Sequence, residues 1–307
     1  MAISIKQVRY FIAAADAGQV SQAAIDLNVS QSAVTAAIKQ LEVDLGVLLF
    51  KRLPTGVSLT AEGGRFLLHA RNIMAAVNAA ARAPLSEDSA LTGTVRIGVS
   101  YTVAGYFLPR HYTRFWRSYP RIRAELHELP RDDIEAGLKD GSLDLAVMLV
   151  SNLQDRKHLA HETLLRSRRR LWLPVEHPLL AAETVTLADV AREPYVMLTV
   201  DEANETAARY WKPTGLRPEI VFKTSSVEAV RSLVADGIGV TILSDMVYRP
   251  WSLEGQRIEQ RSVAAEIPTM DVGIAWNPTR AAAPATRTFH DFLSLSFGGA
   301  NHGLASR

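Results

Sequence analysis

In the first eighty residues the apolar positions recur every three or four residues, the spacing of helices that bury one face. The first such stripe consists of Val8, Phe11, Ile12 and Ala15. Residues 61–82 keep this spacing and predict one long helix, which Thr60 can cap and Pro84 ends. The segment SEDSALTG, residues 86–93, is small and polar and predicts a linker.

After this linker the apolar positions form short continuous runs. TVRIGVS (94–100) and LDLAVMLV (143–150) are typical of buried parallel strands, with helical patterns near Tyr106 and Asp132 between them. Further runs predict strands at RRLWLPV (169–175), YVMLTV (195–200), EIVFKT (219–224), GVTILS (239–244) and MDVGIAW (270–276). This alternation of strands and helices predicts an α/β region.

The stretch SQAAIDLNVSQSAVTAAIKQLEVDLG, residues 21–46, predicts two helices joined by a short turn. Ala23 and Ala24 are small enough to let two crossing helix backbones approach, and Asn28 suits the turn. Ser30 is a good N-cap for a second helix over 31–44. This arrangement predicts a helix-turn-helix with 31–44 as its recognition helix.

The predicted recognition helix has one apolar and one polar face. The apolar stripe, which must face the protein, is Val34, Ile38, Leu41 and Leu45. Short hydrogen-bonding side chains on the other face suit contact with base edges in a major groove. The DNA contacts expected here and at the preceding helix are Ser21, Gln31, Ser32, Thr35 and Lys39. A helical hairpin with a solvated polar face is the alternative interpretation.

A short basic hairpin is predicted directly after this helix. Lys51 and Arg52 precede a turn at Pro54-Thr55-Gly56, and the segment 57–59 returns. The two cations are placed to contact phosphates beside the recognition helix.

Composition narrows the function further. The chain has 307 residues, of which 48% are hydrophobic and 21% charged, and this suits a globular protein of two or three domains. The net charge of +2 means that DNA contact must come from a local arrangement of charge. The sequence has no cysteine, no metal-binding spacing of histidines and no nucleophile or phosphate-loop motif. We therefore predict no catalytic residue, metal or cofactor, and no enzyme activity.

Targeting signals are not predicted. The apolar run from Tyr10 to Ala15 is short for a secretory signal, and no stretch is long enough for a membrane span. A cytoplasmic protein is expected.

The segment 21–63 resembles the N-terminal domain of the LysR-type transcriptional regulators. The resemblance rests on the Ala pair, VSQSAV, Leu41-Glu42 and LGVLLFKR with LTAEG, and it continues with DLAV, HPL and GIGVTILS in the expected order. Ala36 departs from the pattern, because many relatives carry a basic residue there. Guanine recognition by an arginine at that position is not expected.

The resemblance implies an α + α/β fold. It comprises an N-terminal winged helix-turn-helix, a long linker helix, and a C-terminal two-lobed α/β effector domain of periplasmic-binding-protein type. The expected bounds are 1–60 for the DNA-binding domain, 61–91 for the linker or dimerisation helix and hinge, and 92–300 for the effector domain. Within the last, lobe I would be 92–160 with 268–300, and lobe II 161–267.

The long helix carries an apolar stripe that a single linking helix cannot bury. The stripe consists of Phe66, Leu67, Ala70, Ile73, Met74 and Val77. A second copy covering it would form a homodimer, which suits a pseudo-palindromic DNA operator. Packing against the chain's own N-terminal domain is the alternative. The resemblance further implies a homotetramer.

Polar residues that follow the predicted strands mark the expected effector site. The expected contacts are Ser100, Tyr101, Thr102, Met148, Thr199, Val200, Thr224 and Ser226. Each serine or threonine has the alternative role of a helix cap or turn residue. The expected effector is a small carboxylate or an amino compound.

Two charged segments allow two interpretations each. Asp201 and Glu202 would favour a cationic ligand if they pointed inward, but the pattern favours the acidic, solvent-facing first turn of a helix. The basic run Arg166, Arg168, Arg169 and Arg170 is interpreted as the charged edge of a strand, with a second DNA contact as the alternative.

Together these observations predict a DNA-binding transcriptional regulator whose activity is controlled by a small molecule bound between the two lobes. A solute-binding protein of a transport system is the alternative.

Overall fold

The computed structural model describes residues 3–27, 29–53, 56–82 and 91–297. The chain forms two compact units, one mainly of residues 1–90 and the other mainly of residues 91–290. Within the described ranges, no helix has the length and apolar character needed to cross a membrane. Asn28, the wing tip at 54–55, the segment 83–90 and the tail from 298 lie outside the described residues.

The described part of the first unit contains helices and one hairpin. Its elements are α1 (Ile5–Ala17), α2 (Val20–Asp26), α3 (Gln31–Leu45), β1 (Phe50–Leu53), β2 (Gly56–Leu59) and α4 (Ala61–Arg82). The recognition helix ends one residue later than predicted, and the predicted long helix is confirmed over 61–82. Both predicted caps form, because Ser30 Oγ accepts from the Ala33 N–H (3.2 Å) and Thr60 Oγ1 from the Gly63 N–H (2.9 Å).

Small side chains let the helices of this unit pack closely. Ala23 and Ala24 are buried, and they form one core cluster with residues of α1 and α3. The other fully buried members of this cluster are Tyr10, Ala14, Val34 and Ile38. The tight approach of α2 to its neighbours therefore depends on alanine at these two positions.

Helix α4 packs against α1 of its own chain. Phe66, Leu67, Ala70 and Met74 belong to a core cluster with Phe11 and its neighbours. The Phe11 and Phe66 rings meet edge-on with centroids 5.1 Å apart. These four residues therefore have the contacts within their own chain that the alternative expected, and their contact with a second copy stays a prediction.

The remaining two residues of the predicted stripe are outside this cluster. Ile73 is 39% exposed, and Val77 is half-buried. A face of α4 beyond the core thus still carries apolar side chains.

The second unit alternates strands and helices, as its apolar runs predict. Its strands are β3 (Gly93–Val99), β4 (Ile122–Glu128), β5 (Leu145–Leu149), β6 (Ala160–Ser167), β7 (Arg169–Pro174), β8 (Tyr195–Leu198), β9 (Ile220–Thr224), β10 (Thr241–Ser244), β11 (Ile258–Arg261) and β12 (Met270–Trp276). Its helices are α5 (Tyr101–Tyr106), α6 (Leu108–Ser118), α7 (Arg131–Asp140), α8 (Leu187–Val190), α9 (Ala203–Trp211), α10 (Val227–Ala235) and α11 (Pro284–Ser296).

The first lobe is built on a five-stranded sheet in the order β4-β3-β5-β12-β6. Strand β3 runs parallel to β4 and β5, which confirms the prediction for the two long apolar runs. Strand β12 returns antiparallel between β5 and β6. The sheet therefore includes the segment 160–167, so the expected start of lobe II at 161 is wrong.

Strands β4, β6 and β11 are not predicted from the sequence. All three lie at sheet edges, where side chains are partly exposed and the apolar run that marks a central strand is not required. Strand β6 also contains a pairing irregularity opposite Val272 and Gly273.

The second lobe contains a three-stranded sheet, β10-β7-β11, and the parallel pair β8-β9. A parallel bridge between Tyr195 and Val240 links the two. The chain passes into this lobe directly after β6. There the buried Ser167 hydroxyl accepts from Ser244 Oγ (2.7 Å) and from the Met246 N–H (3.0 Å). The end of β6, where the chain enters the second lobe, is therefore bonded to residues of that lobe.

We predict that Ala23→Leu loosens the first unit, because three added carbon atoms must fit into a filled core. Overpacking of this kind costs about 1–3 kcal/mol. The exposed substitution Ala36→Leu should change stability by about 0.5 kcal/mol or less. All five tryptophans lie between 116 and 276, so hydrogen–deuterium exchange of peptides from α1 to α3 is the suitable measurement. Equal protection in the two variants would contradict the packing described.

Candidate DNA-binding surface and effector cleft

The first unit presents a concave polar surface between α2, α3 and the β1-β2 wing. The space open to the centres of water molecules there is about 600 Å³. Five of the seven predicted DNA contacts line it: Ser21, Gln31, Thr35, Lys39 and Arg52. Ser32 and Lys51 are exposed nearby but do not line the concavity. The structure thus brings most of the predicted contacts onto one surface.

The hydroxyl groups on α3 make local hydrogen bonds. Thr35 Oγ1 donates to the Gln31 carbonyl oxygen (2.9 Å), and the hydroxyls of Ser30 and Ser32 lie 3.0 Å apart. A threonine that donates to its own helix still has oxygen lone pairs with which to accept from a base. Ala36, on the same face, is exposed and offers only a methyl group.

The carboxylate of Glu42 fixes the wing to the recognition helix. Its Oε1 accepts from the N–H groups of Leu49 (2.7 Å) and Phe50 (3.1 Å), at the start of β1. The second wing strand is bound to the end of α1 by the Val57 N–H, which donates to the Gly18 carbonyl (2.8 Å). Gly56 has a φ of +143°, and a Cβ there would lie 2.3 Å from that carbonyl oxygen, so glycine is required.

The second unit contains a cavity between its two lobes. Thr102 and Met270 line it from the first lobe, and residues of β7, β8, β10 and α9 line it from the second. About 20 Å³ is open to the centres of water molecules, which is room for about one water. The cleft is therefore nearly closed.

Asp201 spans this cleft. Its Oδ2 accepts from the Thr102 N–H (2.7 Å) and from the Thr102 hydroxyl. Asp201 and Glu202 both have left-handed backbones, with φ of +50° and +56°, so the chain turns inward before α9 begins at Ala203. Such a conformation is unfavourable for non-glycine residues. The expectation that this acidic pair faces solvent as the first turn of a helix is wrong.

Asn152, which follows β5, holds the same segment. Its Nδ2 donates to the Asp201 carbonyl (2.7 Å) and to Glu202 Oε2 (3.1 Å). Burial raises the pKa of Glu202 above its usual value, while the bond from Asn152 and the charge of Arg131 oppose that shift.

Arg169 brings a cation into the cavity. It lies on β7, the middle strand of its sheet, so its interpretation as part of a charged strand edge is wrong. Its Nη1 donates to the Pro268 carbonyl, and burial lowers the pKa of the guanidinium. Among the ion pairs of the described residues, none involves Arg169 or Asp201.

Aromatic and hydroxyl groups complete the second-lobe wall. The hydroxyls of Tyr195 and Tyr210 lie 3.2 Å apart, and burial raises the pKa of Tyr210 well above its usual value. Thr241 is 1% exposed, and its Oγ1 has no hydrogen-bond partner in the described part of the chain. The cavity therefore holds hydrogen-bonding capacity that the protein leaves unused.

Of the eight predicted effector contacts, Thr102 and Val200 line the cavity. Ser100 is buried just before α5, and Tyr101 is exposed. Met148 packs in the first-lobe core, and Thr199 lines a separate groove.

The other two predicted contacts have the alternative, local role. Ser226 Oγ accepts from the Ala229 N–H (3.2 Å) as the N-cap of α10, and Thr224 Oγ1 accepts from the Ser226 N–H (3.1 Å). The sequence pattern did not indicate Arg169, Tyr195, Tyr210 and Thr241 as cavity residues, and it left an inward-pointing Asp201 as the less favoured alternative. The one usable signal was Arg169, an arginine at the start of an otherwise apolar run.

A second polar bridge joins the lobes at Tyr106, at the end of α5. Its hydroxyl donates to Glu228 Oε1 (2.7 Å), and burial with this bond raises the pKa of Tyr106 to about 12. Glu228 also pairs with the buried Arg231, whose Nη2 donates to the Val247 carbonyl (2.8 Å). Within the described residues, no group of three or more acidic, histidine or cysteine side chains could hold a metal ion.

We predict that Glu202→Gln stabilises the protein at neutral pH. A carboxyl whose pKa is raised in the folded state contributes stability below its unfolded pKa and loses it as pH rises through the folded pKa. Glutamine stays neutral and keeps an acceptor for Asn152. The melting temperature should rise at pH 7, and the difference from the wild type should vanish below about pH 4. The exposed Glu205→Gln is the control, and an equal rise in it would contradict the argument.

Comparisons with known proteins agree with this geometry. Residues 5–64 match the model of the bacterial regulatory helix-turn-helix protein, lysR family, and residues 88–297 match the LysR substrate binding domain. The transcriptional dual regulator GltC of Bacillus subtilis is 28% identical over 300 residues, covering 96% of this chain and 98% of GltC.

Solved structures give the same result. The crystal structure of HinK, a LysR family transcriptional regulator from Pseudomonas aeruginosa, is 25% identical with a TM-score of 0.61, covering 97% of this chain and 99% of HinK. Full-length CbnR in complex with its target DNA has the same fold at 22% identity, with a TM-score of 0.54 and 95% and 99% coverage. These matches favour the regulator over the transport alternative and over an enzyme. The chain belongs to the LysR family of transcriptional regulators.

Proposed function

We propose that this regulator binds its operator through the concave surface of α2, α3 and the wing, and a small carboxylate in the cleft between its lobes. LysR-family regulators bind DNA and small-molecule effectors and form oligomers. The assignment of residues to these roles is our own. Because its partner is DNA, we place the protein in the bacterial cytoplasm.

The DNA-binding proposal rests on one observation: uncharged hydrogen-bonding groups and cations lie on the same surface. Gln31 and Thr35 line its recognition-helix side, while Arg52 lines its wing side. Uncharged hydrogen-bonding side chains suit contact with base edges, and cationic side chains suit contact with phosphates. We assign Gln31, Ser32 and Thr35 to bases, and Lys39, Lys51 and Arg52 to the DNA backbone.

The dimer is proposed to form along the free face of α4. Ile73 and Val77 lie outside the core of their own chain, so they remain available to a second copy. A twofold dimer would place two recognition helices on a pseudo-palindromic operator. A tetramer through the effector domains is the further assembly implied by the family resemblance.

The effector is proposed to be a small carboxylate, because the cavity holds the half-buried guanidinium of Arg169, which forms no ion pair among the described residues. Arg169 lines the cavity, and burial lowers the pKa of its guanidinium because the charged form is desolvated, so a carboxylate bound beside it would offset that desolvation. A bound carboxylate can accept two parallel hydrogen bonds from such a group. The amino-compound alternative would need a cavity without this cation.

We predict different effects from base and phosphate contacts. Gln31→Ala should lower discrimination at one operator position, by about 1–3 kcal/mol for a good contact. Lys51→Ala should weaken binding to all sequences alike and reduce the slope of log affinity against log salt by about one. DNA selected from a random pool by the wild-type chain supplies the probe, and mobility shifts at several salt concentrations supply the measurement.

Gln40→Ala is the matched control, because Gln40 is exposed on α3 and bonds to Asp44 (3.0 Å) outside the concave surface. Affinity and preference should be unchanged in this variant. Loss of binding in Gln40→Ala, with none in Gln31→Ala, would place the DNA on another face of the helix.

We also predict that Arg169→Gln abolishes stabilisation by carboxylates. A panel of small mono- and dicarboxylates, with amines of equal size, is tested for shifts in melting temperature. A ligand at a hundred times its dissociation constant stabilises by about 2.7 kcal/mol, which such a measurement detects. Arg168→Gln, exposed one residue earlier, should respond like the wild type. Stabilisation by amines alone would contradict a carboxylate effector.

A further inference from the structure

Asp201 places a carboxylate where the cleft offers hydrogen-bond donors to an acid. The Thr102 N–H and hydroxyl both bond to Asp201 Oδ2 across the two lobes. Thr102 is 1% exposed, so these donors are shielded from solvent and need an acceptor within the cleft. The protein supplies that acceptor from its own chain.

The other wall of the same cavity holds donors without an acidic partner. Among the described residues, Arg169 forms no ion pair and the buried Thr241 hydroxyl has no hydrogen bond. Asp201 and Arg169 both line the cavity yet do not pair with each other. A ligand with one carboxylate at Thr102 and a second acceptor near Arg169 would use both sets of donors.

The backbone carries Asp201 to this position against its own preference. Asp201 and Glu202 both have a left-handed backbone conformation. Asn152 of the first lobe donates hydrogen bonds to both residues. The remaining room, about one water molecule, is too small for an organic acid. Entry of an effector therefore requires the cleft to open, and Asp201 is the lining group whose carboxylate already occupies the Thr102 donors.

We propose that Asp201 occupies the carboxylate subsite of the effector as a tethered competitor, which an effector carboxylate must displace. This inference rests on the proposed function, since it assumes that the cleft is the effector site. If the tethered form is populated at 90–99%, the apparent dissociation constant of a competing acid is raised about ten- to a hundredfold.

The experiment removes the Asp201 carboxylate by substitution and supplies acetate in its place. Asp201→Gly removes a group of the size of acetate, and glycine accepts the left-handed backbone at this position. The full-length variant and wild type are titrated with sodium acetate against sodium chloride of equal ionic strength, and the melting temperature is recorded. The melting temperature of Asp201→Gly should rise at an acetate concentration about ten- to a hundredfold lower than that needed for the wild type. A rise in Asp201→Gly alone, with none in the wild type, is also the expected result.

Two matched variants make the result specific. Asp201→Asn keeps a side chain in the subsite and should not gain acetate binding. Thr102→Val combined with Asp201→Gly removes the hydroxyl donor and should weaken the gain. If Asp201→Gly does not fold, Asp201→Ala is tested with formate instead. Asp201→Ala removes one carbon fewer than Asp201→Gly, and formate is one carbon smaller than acetate.

The same response to acetate in wild type and Asp201→Gly, or a gain also in Asp201→Asn, would overturn the proposal. The carboxylate panel is applied in parallel to the wild type, Asp201→Gly and Arg169→Gln. Stabilisation by a small carboxylate that Arg169→Gln abolishes, without an acetate gain in Asp201→Gly, rejects the tethered competitor alone. Absence of stabilisation by any carboxylate in both the wild type and Asp201→Gly rejects the proposed effector site.

Discussion

A partly buried carboxylate needs hydrogen-bond donors, and in this protein main-chain N–H groups repeatedly supply them. Glu42 accepts from two such groups and thereby fixes the wing beside the recognition helix. Glu135 accepts from the N–H groups of Gln154 (2.8 Å) and Asp155 (3.1 Å), and so holds the loop after β5. Asp201 does the same across the cleft. The geometry of both functional regions depends on these bonds.

Each lobe has its own apolar core, and hydrogen bonds connect the two lobes across the cleft beside the packing of Tyr106 on the second-lobe core. Those bonds are Thr102 to Asp201, Asn152 to the same segment, and Tyr106 to Glu228. A hydrogen bond of this kind contributes about 0.5–1.5 kcal/mol net, so closure is a small free-energy difference on top of stable lobes. A small ligand can supply free energy on that scale.

The sequence predicts elements where one local pattern is sufficient. The recognition helix, its serine cap and the central strands follow from periodicity and from continuous apolar runs. Edge strands such as β4 and β6 do not, because half-exposed positions tolerate charged residues. The direction of Asp201 also could not be predicted, because a left-handed turn at two acidic residues contradicts local preference and is imposed by contacts from the other lobe. The placement of Arg169 in a central strand could not be predicted either, because strand order, which makes β7 central, is a tertiary property.

The exposed methyl group of Ala36 has a consequence for the chemistry of recognition. In the proposed complex it faces the groove from the middle of the recognition helix, where it can neither donate nor accept a hydrogen bond. This methyl group can itself distinguish a base pair only by van der Waals contact with a thymine methyl, so hydrogen-bond recognition opposite it would have to come from a neighbouring side chain or an ordered water. If water relays the contact at that position, hydration of the groove would become part of the recognition surface, and dehydrating solutes would change sequence preference as well as affinity.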